Sequence, residues 1–334
     1  MRSLIVASAI AVAGLQSGVD SNIAVELARV RSQIGASVPE NQRAPLVQRL
    51  DRAEAALKAG RIYQAVYLAE SAYEGAAGFA FAASTNTKSP DEFLRIWTRL
   101  GAPKPRSGKP GRVPAVIDAL AEAAEDRGPV TYQASRPYAD DAGIEAGLYY
   151  LGESRALMDY AAFVRSRTWS DAGRRRPFRG IAPELTALDR EMTVKYETMD
   201  RKDHPTYIRA SAALKQARSL NEHDAREGAL FQYLLARYLF APLRGPAAGD
   251  PTRDRLATAR ATLPAGEDHS VGELFVQFAE EGLSSDTEAL RRGASADIED
   301  ILPAYLAALS PPSPAATSTA DAATTITLVR WPFT

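Results

Sequence analysis

The side chains that could do chemistry are few and scattered. His204, His223 and His269 are the only histidines in 334 residues, and there is no cysteine. The missing thiols exclude disulfides, thiolate metal sites, cysteine nucleophiles and a lipid-modified N-terminal cysteine. Glu222-His223-Asp224 and Glu267-Asp268-His269 set carboxylates beside imidazoles, as metal ligation or acid–base work would require. Adjacent residues point to different sides of a helix, however, and neither His-Glu-x-x-His nor His-x-His occurs. Both triplets therefore read as charged turn residues, and His204, ahead of Pro205, as a loop residue. Ser107-Gly108-Lys109 lacks the spacing of a phosphate loop, with Pro110 where a hydroxyl residue is needed, and Gly-x-Ser-x-Gly and Gly-x-Gly-x-x-Gly are absent. These residues predict no catalytic residue, no metal site and no cofactor. Acid pairs such as Asp140-Asp141 and Glu280-Glu281 read as solvent-facing. A glycosidase-type pair stays open, because its two acids need only meet in space.

Charge is balanced in sum and uneven in place. Forty Lys and Arg against 41 Asp and Glu, a net charge of −1, argue against a globally basic nucleic-acid or membrane-surface binder. Lys104, Arg106, Lys109 and Arg112 form one basic stretch, and Arg165, Arg167, Arg174, Arg175, Arg176 and Arg179 another, while residues 264–303 hold ten acids and two arginines. One reading is a basic patch, centred on Arg174, Arg175 and Arg176, that meets an anionic envelope component such as a lipid head group or a wall polymer. The other is that these arginines pair with the acidic C-terminal third or face water. Tyr149, Tyr150 and Tyr233 fall at helical positions, where they either line a ligand groove or seal the edge of a core.

The elements that must position these residues are helices. Alanine occurs 62 times, the composition of helix rather than strand. Met1-Arg2-Ser3 followed by an apolar run to Leu15 has the layout of a secretory signal peptide over 1–17, and predicts a periplasmic or secreted protein. No later segment reaches transmembrane length; the most apolar, 229–242, is interrupted by Gln232 and Arg237. A first helix is predicted over 22–33, and a second from Pro45 with Leu46, Leu50, Ala53 and Leu57 on its buried side. A third runs from Ile62 beyond the Gly60 turn, so the last two form an antiparallel hairpin. A helix is predicted over 114–125, and a hairpin over 213–238 that turns near Asn221–Asp224. Further helices are expected near 252–262, 271–283, 286–292 and 296–309. The stretches 101–114, 170–183 and 243–251 read as breaks.

Gly60-x-Ile62-x-x-Ala65-x-x-x-Ala69-x-x-Ala72 resembles the second half of a tetratricopeptide repeat, in which a turn glycine precedes small residues that admit a close helix. Leu151-Gly152, followed by Ala156, Tyr160 and Phe163, is similar to the first helix of such a repeat. The bulky residue usual at Ala69 is missing, and the hairpins recur every 80 residues or so rather than every 34. The resemblance implies an all-α, irregular array of helical hairpins over 18–309 that binds a protein or peptide. Residues 310–323, rich in Pro, Ala, Thr and Ser, read as a linker to a strand-like segment, 324–334. There Ile326, Leu328, Trp331 and Phe333 could add to the sheet edge of a partner or fold back onto the helices. The expected function is that of an exported, non-catalytic scaffold. The alternative is an enzyme of envelope polysaccharides or small molecules, with Glu/Asp acid–base pairs in a Tyr-lined cleft.

Overall fold

In a computed structural model, residues 22–85, 87–104, 113–139, 143–169, 174–175, 178–245 and 250–309 are described. The signal-peptide reading, Arg106, Lys109 and Arg112 of the first basic stretch, Asp140-Asp141, the linker and the strand-like segment lie outside them. The fold is all-α. The helices are α1 (22–37), α2 (Glu40–Lys58), α3 (Ile62–Thr85), α4 (Pro90–Leu100), α5 (Ala115–Ser135), α6 (Ile144–Arg165), α7 (Ala182–Thr198), α8 (His204–Glu222), α9 (Arg226–Arg244), α10 (Arg253–Ala261), α11 (Ser270–Leu283), α12 (Glu288–Ala296) and α13 (Leu302–Leu309). A π-turn over Asp297–Ile301 joins the last two. No described helix is long and apolar enough to cross a membrane.

The helices do not stack in chain order. Across the molecule the sequence of neighbours is α2, α3, α6, α5, α9, α8, α7, so α6 is inserted between α3 and α5. The helix carrying Leu151-Gly152 thus closes a hairpin with the helix before it. Small residues make the insertion possible. A Cβ on Gly152 would stand 2.9 Å from the Cα of Gly78 and 2.6 Å from the Cβ of Phe81, so α3 and α6 touch backbone to backbone. The α2–α3 turn closes as Gly60 predicts: its φ is +73°, and Arg61 N–H donates to Ala56 O at 2.9 Å.

One large apolar core runs from Ile23 in α1 to Leu309 in α13. A smaller one gathers Phe93, Ile96, Tyr132, Ile144, Leu148 and Leu151 under α4. Asp268 ties two helix starts together. Its Oδ2 accepts Ala115 N–H at 2.7 Å, its Oδ1 accepts Ser270 N–H at 3.0 Å and Oγ–H at 2.6 Å, and Ser270 Oγ accepts Val116 N–H at 3.0 Å. Orphan donors at the N-termini of α5 and α11 are satisfied by one buried side chain.

Three expectations are corrected. The second helix begins at Glu40, with Pro45 inside it, and α5 continues past Gly128 and Pro129 to Ser135. Each proline removes one backbone bond, a loss that packing outweighs. Helices α4 and α7 were not expected from the sequence, and α7 begins at Ala182, within the stretch taken as a break.

Candidate functional site

Helix α5 carries its charge inward. Asp118, Glu122 and Glu125 follow at i, i+4 and i+7, with Asp126 and Arg127 one step round. Asp118, fully buried, meets Arg165 Nε at 3.2 Å and Arg175 Nη1 at 2.6 Å. Arg165 reaches on to Glu125 at 2.7 Å, and Arg175 to Glu227 at 2.9 Å. Glu122 Oε2 accepts Gly228 N–H at 2.7 Å, capping α9 from outside; burial pushes this carboxyl up to about 7. Asp126 Oδ1 accepts the Ser219 hydroxyl at 2.7 Å.

Beyond this network, α3, α5 and α6 enclose a second group of acids. Glu70 and Glu74 stand one turn apart on α3 and are the only charges in its 24 residues. Both meet Arg127 of α5, at 3.3 and 2.7 Å. Glu153 of α6 faces the same arginine, and its Oε1 accepts the Tyr149 hydroxyl at 3.3 Å. Two carboxylates therefore share one guanidinium, and Glu153 lies close enough to feel its charge and that of Glu74. Burial raises Glu70, and burial aided by the nearby Glu74 charge pushes Glu153 up to about 7. Aromatic rings wall the niche: Tyr149 lies 4.8 Å from Phe79 and 5.6 Å from Tyr150, whose ring is 5.4 Å from Tyr138. Tyr160 closes the floor by donating to Val66 O at 3.0 Å. Glu70 and Glu74 are nearly covered, whereas Arg127, Glu153, Tyr149 and Tyr150 are half-buried, so the niche meets solvent on the α6 side.

Of the residues singled out in the sequence, Tyr149 and Tyr150 meet here. Tyr233 does not: it is buried on α9, where its hydroxyl accepts Arg237 Nη1–H at 2.8 Å and Arg237 pairs with Asp300. Arg174 is exposed, and its backbone bridges to the loop before α11, with Arg174 N–H to Gly266 O at 3.0 Å and Asp268 N–H to Arg174 O at 2.9 Å. Arg175 is committed to Asp118 and Glu227, and Arg179 to Glu184, so neither stands free for an anion. Their partners lie in α5, α9 and α7 rather than in the acidic C-terminal third. Arg176, Ile326, Leu328, Trp331 and Phe333 lie outside the described residues.

Glu280-Glu281 is also not a free surface pair. Arg52 grips Glu281 through two bonds of 2.9 and 2.8 Å, and Arg260 holds Glu280 at 3.2 Å. His223 sits at the C-cap of α8 with its Nδ1 2.8 Å from Ser219 O, His269 at the N-cap of α11, and His204 stacks on Tyr196. Among the described residues, no three metal-ligating side chains converge. Glu70, Glu74, Arg127 and Glu153 escaped the sequence reading. The available signal was the lone Glu70/Glu74 pair in an apolar helix, too long a helix to expose one face cheaply.

Comparison of the chain with protein-family models, with curated proteins and with solved structures finds no match.

Proposed function

We propose that this protein is an exported, non-catalytic helical scaffold of the periplasm or cell exterior, and that its niche between α3, α5 and α6 receives a basic side chain of a protein or peptide partner. One observation carries the reading: Glu70, Glu74 and Glu153 outnumber the single guanidinium of Arg127 in a half-buried, tyrosine-walled site. Such a site gains by taking up either protons or a cation, and tyrosine faces suit the alkyl stem and head of Lys or Arg. Its TPR-like hairpin character and the strand-like segment 324–334, as a second contact on a partner's sheet edge, belong to the same proposal.

Titration of the full chain with Ala-Lys-Ala and Ala-Gln-Ala amides, followed by tyrosine fluorescence, tests it. Saturation by the lysine peptide alone, weakened about tenfold in Glu153→Gln, is the expected result. Equal behaviour of the two peptides would refute it. Deleting residues 311–334 and repeating capture from the native envelope tests the second contact, and N-terminal sequencing of the mature chain tests export.

A second reading, acid–base catalysis on an envelope polysaccharide or small molecule, is favoured by Glu153 standing near neutrality beside an ion-paired Glu74. It requires turnover that disappears in Glu153→Gln while the melting temperature holds.

A further inference from the structure

Beside the α2–α3 turn, α10 presents Arg253, Leu256, Ala257 and Arg260 at i, i+3, i+4 and i+7, a single face. The last turn of α11 and its C-cap contribute Glu280, Leu283 and Ser284, and Arg61 at the α2–α3 turn closes the third side. Together they line a cleft of about 400 Å³, a size suited to a small ligand. Three guanidiniums stand there against Glu280 in the lining and Glu273 behind Arg260. Only Arg260 is occupied, by Glu273 at 2.5 Å and Glu280 at 3.2 Å. Arg253 makes no ion pair among the described residues, and Arg61 Nε is shut off from solvent with no acceptor among them. Arg61, on the cleft wall, likewise makes no ion pair among the described residues. Between the cationic ends of the α10 face, about 10 Å apart along the helix, Leu256 and Ala257 form an apolar floor with Leu283 opposite.

We propose that this cleft binds a small organic dianion, a phosphate ester or dicarboxylate, with its charges on the cleft's guanidiniums and its apolar body on Leu256, Ala257 and Leu283. Planar guanidinium forks match both oxyanions, and the floor selects for an apolar body. The site is separate from the acid–tyrosine niche.

Calorimetric titration of the full chain with phenyl phosphate, phthalate and inorganic phosphate provides the test. Saturation by phenyl phosphate identifies the ester class and saturation by phthalate the carboxylate class; either supports the site. The bound probe should exceed inorganic phosphate in affinity and weaken as salt rises. Arg253→Gln, at an exposed and unpaired position that leaves the melting temperature unchanged, should weaken binding about tenfold, as should Arg61→Gln. Glu153→Gln should leave it unaltered. Failure of both organic probes to saturate, affinity unchanged in Arg253→Gln, or inorganic phosphate binding as tightly as phenyl phosphate would overturn the assignment.

Discussion

Asp297 is costly to ionise. It lies on the π-turn, fully buried, and neither carboxylate oxygen has a hydrogen-bond partner among the described residues. Burial raises its ionisation well above 3.8, and Glu122 and Glu153 rise from 4.5 to about 7 for the same reason. The folded protein therefore holds protons that the unfolded chain releases. Their contribution is complete below the unfolded values near 4 and declines as pH climbs toward the folded ones. The melting temperature should accordingly drop between about pH 5 and pH 8, and Asp297→Asn should flatten that drop. Thermal melts across pH decide this; an identical slope in the variant would show that Asp297 is already ionised. None of these positions was legible in the sequence, because an acid's cost depends on what surrounds it. Two of the histidines were legible: Glu222-His223-Asp224 and Glu267-Asp268-His269 do sit at helix ends, although Asp268 turned inward to join two of them, whereas His204, expected in a loop, is the first residue of α8.

Among elements, strong periodicity carried the reading and breakers misled it. The α8–α9 hairpin turns at 223–225, and α10 and α11 begin within a residue of expectation, since apolar spacing and turn residues agree there. Pro45 looked like a helix start, and the helix over 114–125 was expected to stop short of Pro129, yet both prolines lie inside helices whose packing outweighs one lost bond. Helix α4 is short, and its anchoring is tertiary: Trp97 stacks on Tyr132 at 4.5 Å, and each donates to the other's carbonyl, at 3.3 and 2.8 Å. Two substitutions test the packing of elements. Gly152→Ala pushes a Cβ into the backbone of α3 and should cost about 1–3 kcal/mol in chemical denaturation. Asp268→Ala strands the first amides of α5 and α11 and should cost about 2–3 kcal/mol. A loss below about 0.5 kcal/mol in either case would mean that the neighbouring helices shift to compensate.

For the molecule as a whole, a net charge of −1 conceals ion pairs that converge on α5 from α3, α6 and the loop before α7, with Glu227 of α9 joined through Arg175. The continuous core from α1 to α13 should make unfolding of most of the chain a single event, while the smaller cluster under α4 has fewer attachments. In native-state hydrogen exchange, amides of α4 should exchange well before those of 115–124. Simultaneous exchange would argue that the two cores form one cooperative unit.

The insertion of α6 between α3 and α5 also dictates when the chain can finish folding. In a sequentially stacked array each pair of helices is complete once its successor emerges. Here the apolar side of α3 must wait until residue 165 has left the ribosome, and α5 must wait for α9. Half-made chains thus carry uncovered greasy flanks for most of synthesis, and a truncated fragment cannot simply shed a terminal repeat and stay folded.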